Sequence, residues 1–300
     1  MFFEGFPEFL PNEFYVTGES YGGVYVPWLT TYIKNYNALS TTTSPINLKG
    51  MTVGNGLTNM TADLGQETQA DFLWWHALYG QTVRDDYEKN CVITPDEDKC
   101  NNTFEVMSNL TTNINPYDIY RVCYHENFMV SHREFMNRFN EPLKDDPNGA
   151  PCIDSRGANK MFNDKDVRTA FNVGDQTTHW TTCRLTANYT YTFGESIQLY
   201  PDLIRSNPPL KLLFYSGDTD STIAVTGSMK WIHWLRINEN LVETEAWRQW
   251  NLDGQVGGYT HAFNDTFAFA TIKGTGHMSI QWKRPQGYHI FNSFLNNTRF

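Results

Sequence analysis

The segment Gly18-Glu19-Ser20-Tyr21-Gly22 constrains this chain more than any other, because of what flanks it. Ahead of it, Phe14-Tyr15-Val16-Thr17 is a short aromatic and β-branched run that reads as a buried strand. Behind it, Val26, Leu29, Tyr32, Ile33 and Tyr36 recur at spacings of three and four. That periodicity predicts a helix over 24–36, with Pro27 near its first turn. Leu48 to Val53 predicts a second strand, closed by Gly54-Asn55-Gly56. Strand, helix and strand in this order make a βαβ unit, which demands a parallel sheet.

The same pattern returns later. Lys211-Leu212-Leu213-Phe214-Tyr215 predicts a strand that ends in Ser216-Gly217-Asp218-Thr219-Asp220, and a helix follows around 227–236. Phe267 to Ile272 predicts another strand, ending in Lys273-Gly274-Thr275-Gly276-His277, and Pro285 opens a last helix. Residues 62–160 differ: they hold four of the five cysteines and several polar stretches, and they read as a largely helical cap insertion. The expected organisation is therefore an α/β core over 1–61, the insertion over 62–160, and the core again over 161–300.

Composition narrows the class. The chain has 300 residues, 40% of them hydrophobic and 15% aromatic, enough apolar surface for a real core and against wholesale disorder. The formal charge is -10 with no basic run, which argues against a nucleic-acid partner. No stretch of 18 apolar residues is present, so no membrane partner is expected. Cys91, Cys100, Cys123, Cys152 and Cys183 form no C-x-x-C pair, so zinc and thioredoxin-type sites are not indicated. Sequons at Asn59, Asn101, Asn109, Asn188, Asn264 and Asn296 fit the secretory pathway, an oxidising compartment. The first residues, Met1-Phe2-Phe3-Glu4-Gly5, lack the basic start and apolar run of a signal peptide.

G-x-S-x-G between a strand and a helix is the context of a nucleophile elbow. A tight turn lifts the serine hydroxyl above the sheet, and glycines two residues away on either side remove side chains that would collide. The helix that follows points its N-terminal N–H groups at a developing oxyanion. A serine hydroxyl needs a base. Of eight histidines, His277 alone follows a strong apolar strand, in a loop that turns on two glycines. The base needs an acid to orient it. Asp218 and Asp220 both lie just past a strand end, and spacing does not choose between them. The order serine, acid, histidine is that of the α/β-hydrolases.

At these residues the chain resembles the serine carboxypeptidases. Phe14 to Pro27 is similar to their serine-site signature, Tyr215 to Asp220 to their aspartate block, and Gly274 to Met278 to their histidine block. Val53-Gly54-Asn55-Gly56 also looks familial. The resemblance implies an α/β-hydrolase fold, with a mostly parallel sheet and a helical cap. It implies a catalytic triad of Ser20, His277 and Asp220, with the second acid of Gly-Asp-x-Asp chosen, and Tyr21 N–H as one oxyanion donor. It further implies that Glu19 binds the substrate's C-terminal carboxylate and that Met278 lines the pocket beside the scissile bond. Two carboxyls can meet there only by sharing a proton, so peptide binding is expected to improve at acidic pH, with a depressed His277 pKa as the accompanying requirement.

The implied activity is removal of C-terminal residues from peptides through an acyl-enzyme, with no metal or organic cofactor. An acyltransferase or lyase would use the same site. The implied compartments are the lysosome or vacuole, or the extracellular space; a homodimer is left open. After Met278 this chain has Ser279-Ile280 where the family usually has Val-Pro. The family's Asn-Gly-Gly-Pro-Gly-Cys-Ser-Ser segment, which supplies the second oxyanion N–H, is absent. The expectation is a chain that opens inside the domain, after strands and crossovers on the order of 100 residues. Such a chain would leave a sheet edge open, and an inactive fragment is a further alternative. By the family pattern Cys183 pairs with a cysteine of the absent segment, leaving Cys91–Cys100 and Cys123–Cys152 as bridges.

Overall fold

The computed structural model describes residues 2–39, 44–124, 151–174, 178–183, 194–298 and 300. The Asn188 sequon and the stretch 125–150 of the expected insertion lie outside them. Among the described residues six strands form one sheet: β1 (Phe14–Glu19), β2 (Leu48–Gly54), β3 (Lys211–Gly217), β4 (Glu243–Leu252), β5 (Gln255–Phe263) and β6 (Phe267–Ile272), in the order β1-β2-β3-β6-β5-β4. The pairs β1–β2, β2–β3 and β3–β6 are parallel; β5 and β4 join antiparallel at the far side. β1 is an edge strand of this sheet.

The four parallel strands are the ones the apolar runs predict. β2 and β3 are buried almost throughout, as strands covered on both faces must be. Side chains alternate between two cores. Met51, Val53, Leu212, Phe214, Phe267 and Phe269 pack toward helices α1 (Gly22–Ala38) and α2 (Val225–Asn238). Leu213, Tyr215, Ala270 and Ile272 pack on the opposite face with Ile290 and Phe294 of helix α3 (Arg284–Asn296). The β4–β5 hairpin is not anticipated by hydrophobic periodicity. Trp250 is the one residue of β4 buried in it, so the strand shows no alternation. A turn signal is present in Asp253-Gly254, with φ of 51° and 74°, as a tight hairpin turn requires.

Pro27 lies not in the first turn of α1 but six residues in, because the helix begins at Gly22. Proline has no N–H to offer the carbonyl four residues back. That carbonyl, on Gly23, accepts Ser196 Oγ at 2.6 Å instead.

The chain divides into two compact units. One comprises Met1–Leu110, Tyr117–Ile119 and Thr192–Phe300; the other comprises Thr111–Pro116 and Tyr120–Tyr191. These boundaries differ from the expected insertion over 62–160. The helices Gln66–Trp75, Gln81–Tyr87 and Glu97–Leu110 belong to the first unit, where Phe72, Tyr87 and Met107 bury against one another and Ala224. Cys91–Cys100 bridges this helical part. The second unit holds the Cys123–Cys152 bridge and the helices Arg156–Asn163 and Lys165–Ala170, the latter capped by Asp164. Cys183 is exposed and unbridged. Among the described residues, no helix is long and apolar enough to cross a membrane.

Candidate active site

Parallel register brings the chemistry to one end of the sheet. Glu19 is paired with Gly54, Gly54 with Tyr215, and Gly217 with Ile272, so four strands stop together and their loops share one rim. In an open α/β sheet this carboxyl end is where sites form. Ser20, Asn55, Asp220 and His277 all leave from it.

Ser20 has φ of 62°, a left-handed conformation that a β-carbon disfavours. The surroundings hold it there: Ser20 N–H donates to Gly54 O at 3.0 Å, and Ser20 O accepts Gly23 N–H at 2.9 Å and Leu57 N–H at 3.0 Å. The glycines around it are not equivalent. A β-carbon on Gly18 would come within 2.7 Å of Val26, whereas one on Gly22 would meet nothing within 4 Å. The second glycine that packing demands is Gly23, whose β-carbon would lie 2.5 Å from Leu57 O. Tyr21 stands at the N-cap of α1, directly after Ser20.

His277 Nδ1 lies 2.7 Å from Asp220 Oδ2, with the histidine 4% exposed and the aspartate fully buried. Geometry thus separates the two acids that spacing left equal. Asp218 Oδ1 instead accepts Gly274 N–H at 2.6 Å, bracing the histidine loop. Asp220 Oδ1 accepts Thr222 N–H at 2.8 Å and Ile223 N–H at 3.3 Å. Among the described residues no hydrogen bond joins Ser20 Oγ to His277, whose described ring partner is Asp220.

Asn55 is the residue that sequence reasoning missed. Fully buried at φ of 40°, it donates from Nδ2 to Asp220 Oδ2 at 2.9 Å, and its Oδ1 accepts Gly217 N–H at 3.1 Å. Its own N–H donates to Tyr215 O at 2.8 Å. Asparagine suits the position because it tolerates positive φ and carries both a donor and an acceptor. The Gly54-Asn55-Gly56 strand end was the available signal.

Charges couple across the rim. Burial raises the Glu19 carboxyl above its ordinary range; the His277 charge pulls it down and the Asp220 charge pushes it up. Burial likewise raises Asp220 against the pull of the His277 hydrogen bond and charge and of the backbone donors. For His277, burial disfavours the cation, but the Asp220 hydrogen bond and charge, aided by Glu19, outweigh it and leave the pKa raised. The depressed histidine pKa expected from sequence is therefore corrected: a buried carboxylate at 2.7 Å favours the imidazolium. Met278 is half-buried at the N-cap of the short helix Ser279–Trp282, directly after His277.

A mostly parallel sheet with helices on both faces, a serine on a strained strand-to-helix turn, and a buried histidine–aspartate pair at the same sheet end define an α/β-hydrolase fold. Residues 1–297 match the serine carboxypeptidase family model, and the chain belongs to that family. It is 31% identical over 297 residues to putative serine carboxypeptidase-like 23 of Arabidopsis thaliana, covering 97% of this chain and 62% of that protein. It is 25% identical to serine carboxypeptidase 1 of Hordeum vulgare, covering 99% of this chain and 66% of the relative. The crystal structure of Kex1(delta)p, a prohormone-processing carboxypeptidase from Saccharomyces cerevisiae, superposes with a TM-score of 0.67 at 18% identity. That match covers 99% of this chain and 64% of the yeast one. The chain spans less than two thirds of the length of the first of these relatives.

Proposed function

We propose that this site removes C-terminal residues from peptides as a serine-type carboxypeptidase. The observation that carries the reading is the buried His277–Asp220 pair at the sheet end that also holds Ser20 at positive φ. Ser20 Oγ attacks the scissile carbonyl while His277 Nε2 takes its proton. Asp220 keeps the Nδ1 proton in place and stabilises the imidazolium, and Asn55 fixes Asp220. Tyr21 N–H receives the oxyanion. The imidazolium then protonates the leaving amine, and water, activated by the same histidine, releases the shortened peptide.

Glu19 binds the substrate's terminal carboxylate by sharing a proton with it, which its raised pKa favours. Met278 lines the pocket beside the scissile bond. Acid therefore helps binding through Glu19 and opposes chemistry through His277, so acid preference resides in KM rather than in kcat. Two disulfides suit an oxidising compartment of the secretory pathway, with vacuole, lysosome or extracellular space as destinations.

The test is intact mass after incubation with a fluorophosphonate, beside Ser20→Ala. One adduct, absent from the variant, is expected. No adduct on the wild-type chain would remove the claim that these residues form a working triad by themselves. Assaying peptides beside glucose esters then separates hydrolysis of peptides from acyl transfer.

A further inference from the structure

Three residues, Tyr117 to Ile119, pack with the first unit although the chain on both sides of them belongs to the second. Each makes a bond to the catalytic rim. Tyr117 O accepts His277 N–H at 2.6 Å, and Ile119 N–H donates to Thr219 O at 3.1 Å. Between them Asp118 Oδ1 accepts Thr219 Oγ1–H at 2.8 Å, with both side chains buried. Thr219 N–H in turn donates to Thr275 O at 3.1 Å. Gly276 leaves room for the segment: a β-carbon there would stand 1.9 Å from Tyr117 O.

Thr219 directly precedes Asp220. Beyond Gly217 and Ile272 the strands have ended, and the ladder no longer sets the distance between acid and base. We infer that Asp118 is a positioning residue, which through Thr219 holds Asp220 at hydrogen-bonding distance from His277. Its carboxylate supplies the buried acceptor that the Thr219 hydroxyl requires. Ile119 N–H and Tyr117 O then fix the acid and base loops to one short strap. The catalytic part of the inference rests on the reading of Ser20, His277 and Asp220 given above; the geometric part does not.

The experiment compares wild type, Asp118→Ala and Asp118→Asn. It reads fluorophosphonate labelling rate, kcat and KM on a peptide, and the low-field proton resonance of His277 Nδ1–H, assigned by its loss in His277→Ala. Displacing a catalytic group by about 1 Å costs on the order of 100-fold. Asp118→Ala is expected to lose roughly 10- to 100-fold in labelling rate and kcat with KM little changed, and to lose the resonance. Asp118→Asn, whose amide oxygen still accepts from Thr219, restores both. A folded Asp118→Ala with wild-type rate and resonance overturns the inference. If wild type itself does not label, the catalytic reading falls, and the resonance alone decides: retention in Asp118→Ala still overturns the positioning role. Should Asp118→Ala fail to fold, Thr219→Val removes the same hydrogen bond and carries the same expectations.

Discussion

Asn55→Asp is nearly isosteric and tests the buried acid directly. The acceptor that serves Gly217 N–H survives, but the amide donor 2.9 Å from Asp220 Oδ2 becomes a carboxyl oxygen. Two charges at that distance repel by about 6 kcal/mol at an effective dielectric of about 20. Keeping a proton on the new carboxyl, whose free pKa is about 4, costs about 4 kcal/mol at pH 7 and about 1.5 kcal/mol at pH 5. Protonation is the cheaper course at both pH values, so the folded variant holds a proton that its unfolded chain releases. The unfolded state therefore gains as pH rises, and the variant weakens relative to wild type by about 2.7 kcal/mol between pH 5 and pH 7.

Urea denaturation of both proteins at the two pH values measures this. Asn55→Ala is the control: it also loses the bonds to Asp220 and Gly217, at about 2–4 kcal/mol, but introduces nothing that titrates. If Asn55→Asp were destabilised equally at pH 5 and pH 7, the two groups would not share a dry site. The assignment of Asn55 as the brace of Asp220 would then be wrong.

Other substitutions report on separate parts of the rim. On the proposed reading, KM for a peptide should rise in wild type as pH climbs through the raised Glu19 pKa, and Glu19→Gln, which cannot ionise, should make it flat across that range; an unchanged KM profile refutes the shared proton. Gly276→Ala drives a β-carbon against Tyr117 O and should lose about 1–3 kcal/mol in a thermal melt, whereas Gly22→Ala, facing open space, should melt within a degree or two of wild type. Asp63 is fully buried, with Oδ2 accepting Thr58 N–H at 2.7 Å and Asn59 N–H at 2.9 Å, and burial lifts its pKa to about 7. Since its unfolded carboxyl ionises near 4, wild type loses stability as pH rises from there toward 7. Asp63→Asn keeps the acceptor without the proton, so its melting temperature should climb relative to wild type over that window. A constant difference would show that Asp63 does not titrate there.

What was legible in the sequence was what a dozen neighbouring residues specify. The elbow announces itself through a β-branched run, a small-residue turn and a 3.6-residue period in immediate succession. β3 and β6, with the loops that end them, are read by the same local grammar. β4 escaped because an edge strand with one buried side chain has no alternation to detect, although Asp253-Gly254 marked its turn. The stretch 62–160 reads as a largely helical insertion from its cysteines and polar segments, and composition of that kind does not say which part of it packs with the first compact unit; the helices of 66–110 do. Asn55 meets Asp220 across 165 residues, and Asp118 meets Thr219 across 101. Asp218 and Asp220 are two residues apart on one loop, yet one accepts the Gly274 N–H and the other faces His277. These assignments follow from strand register, which brings four loops to one rim. Pattern within any single loop does not contain them. Ser20 sits where local geometry is unusual and leaves a mark in the sequence; Asn55 and Asp118 are an ordinary asparagine and aspartate until the sheet closes.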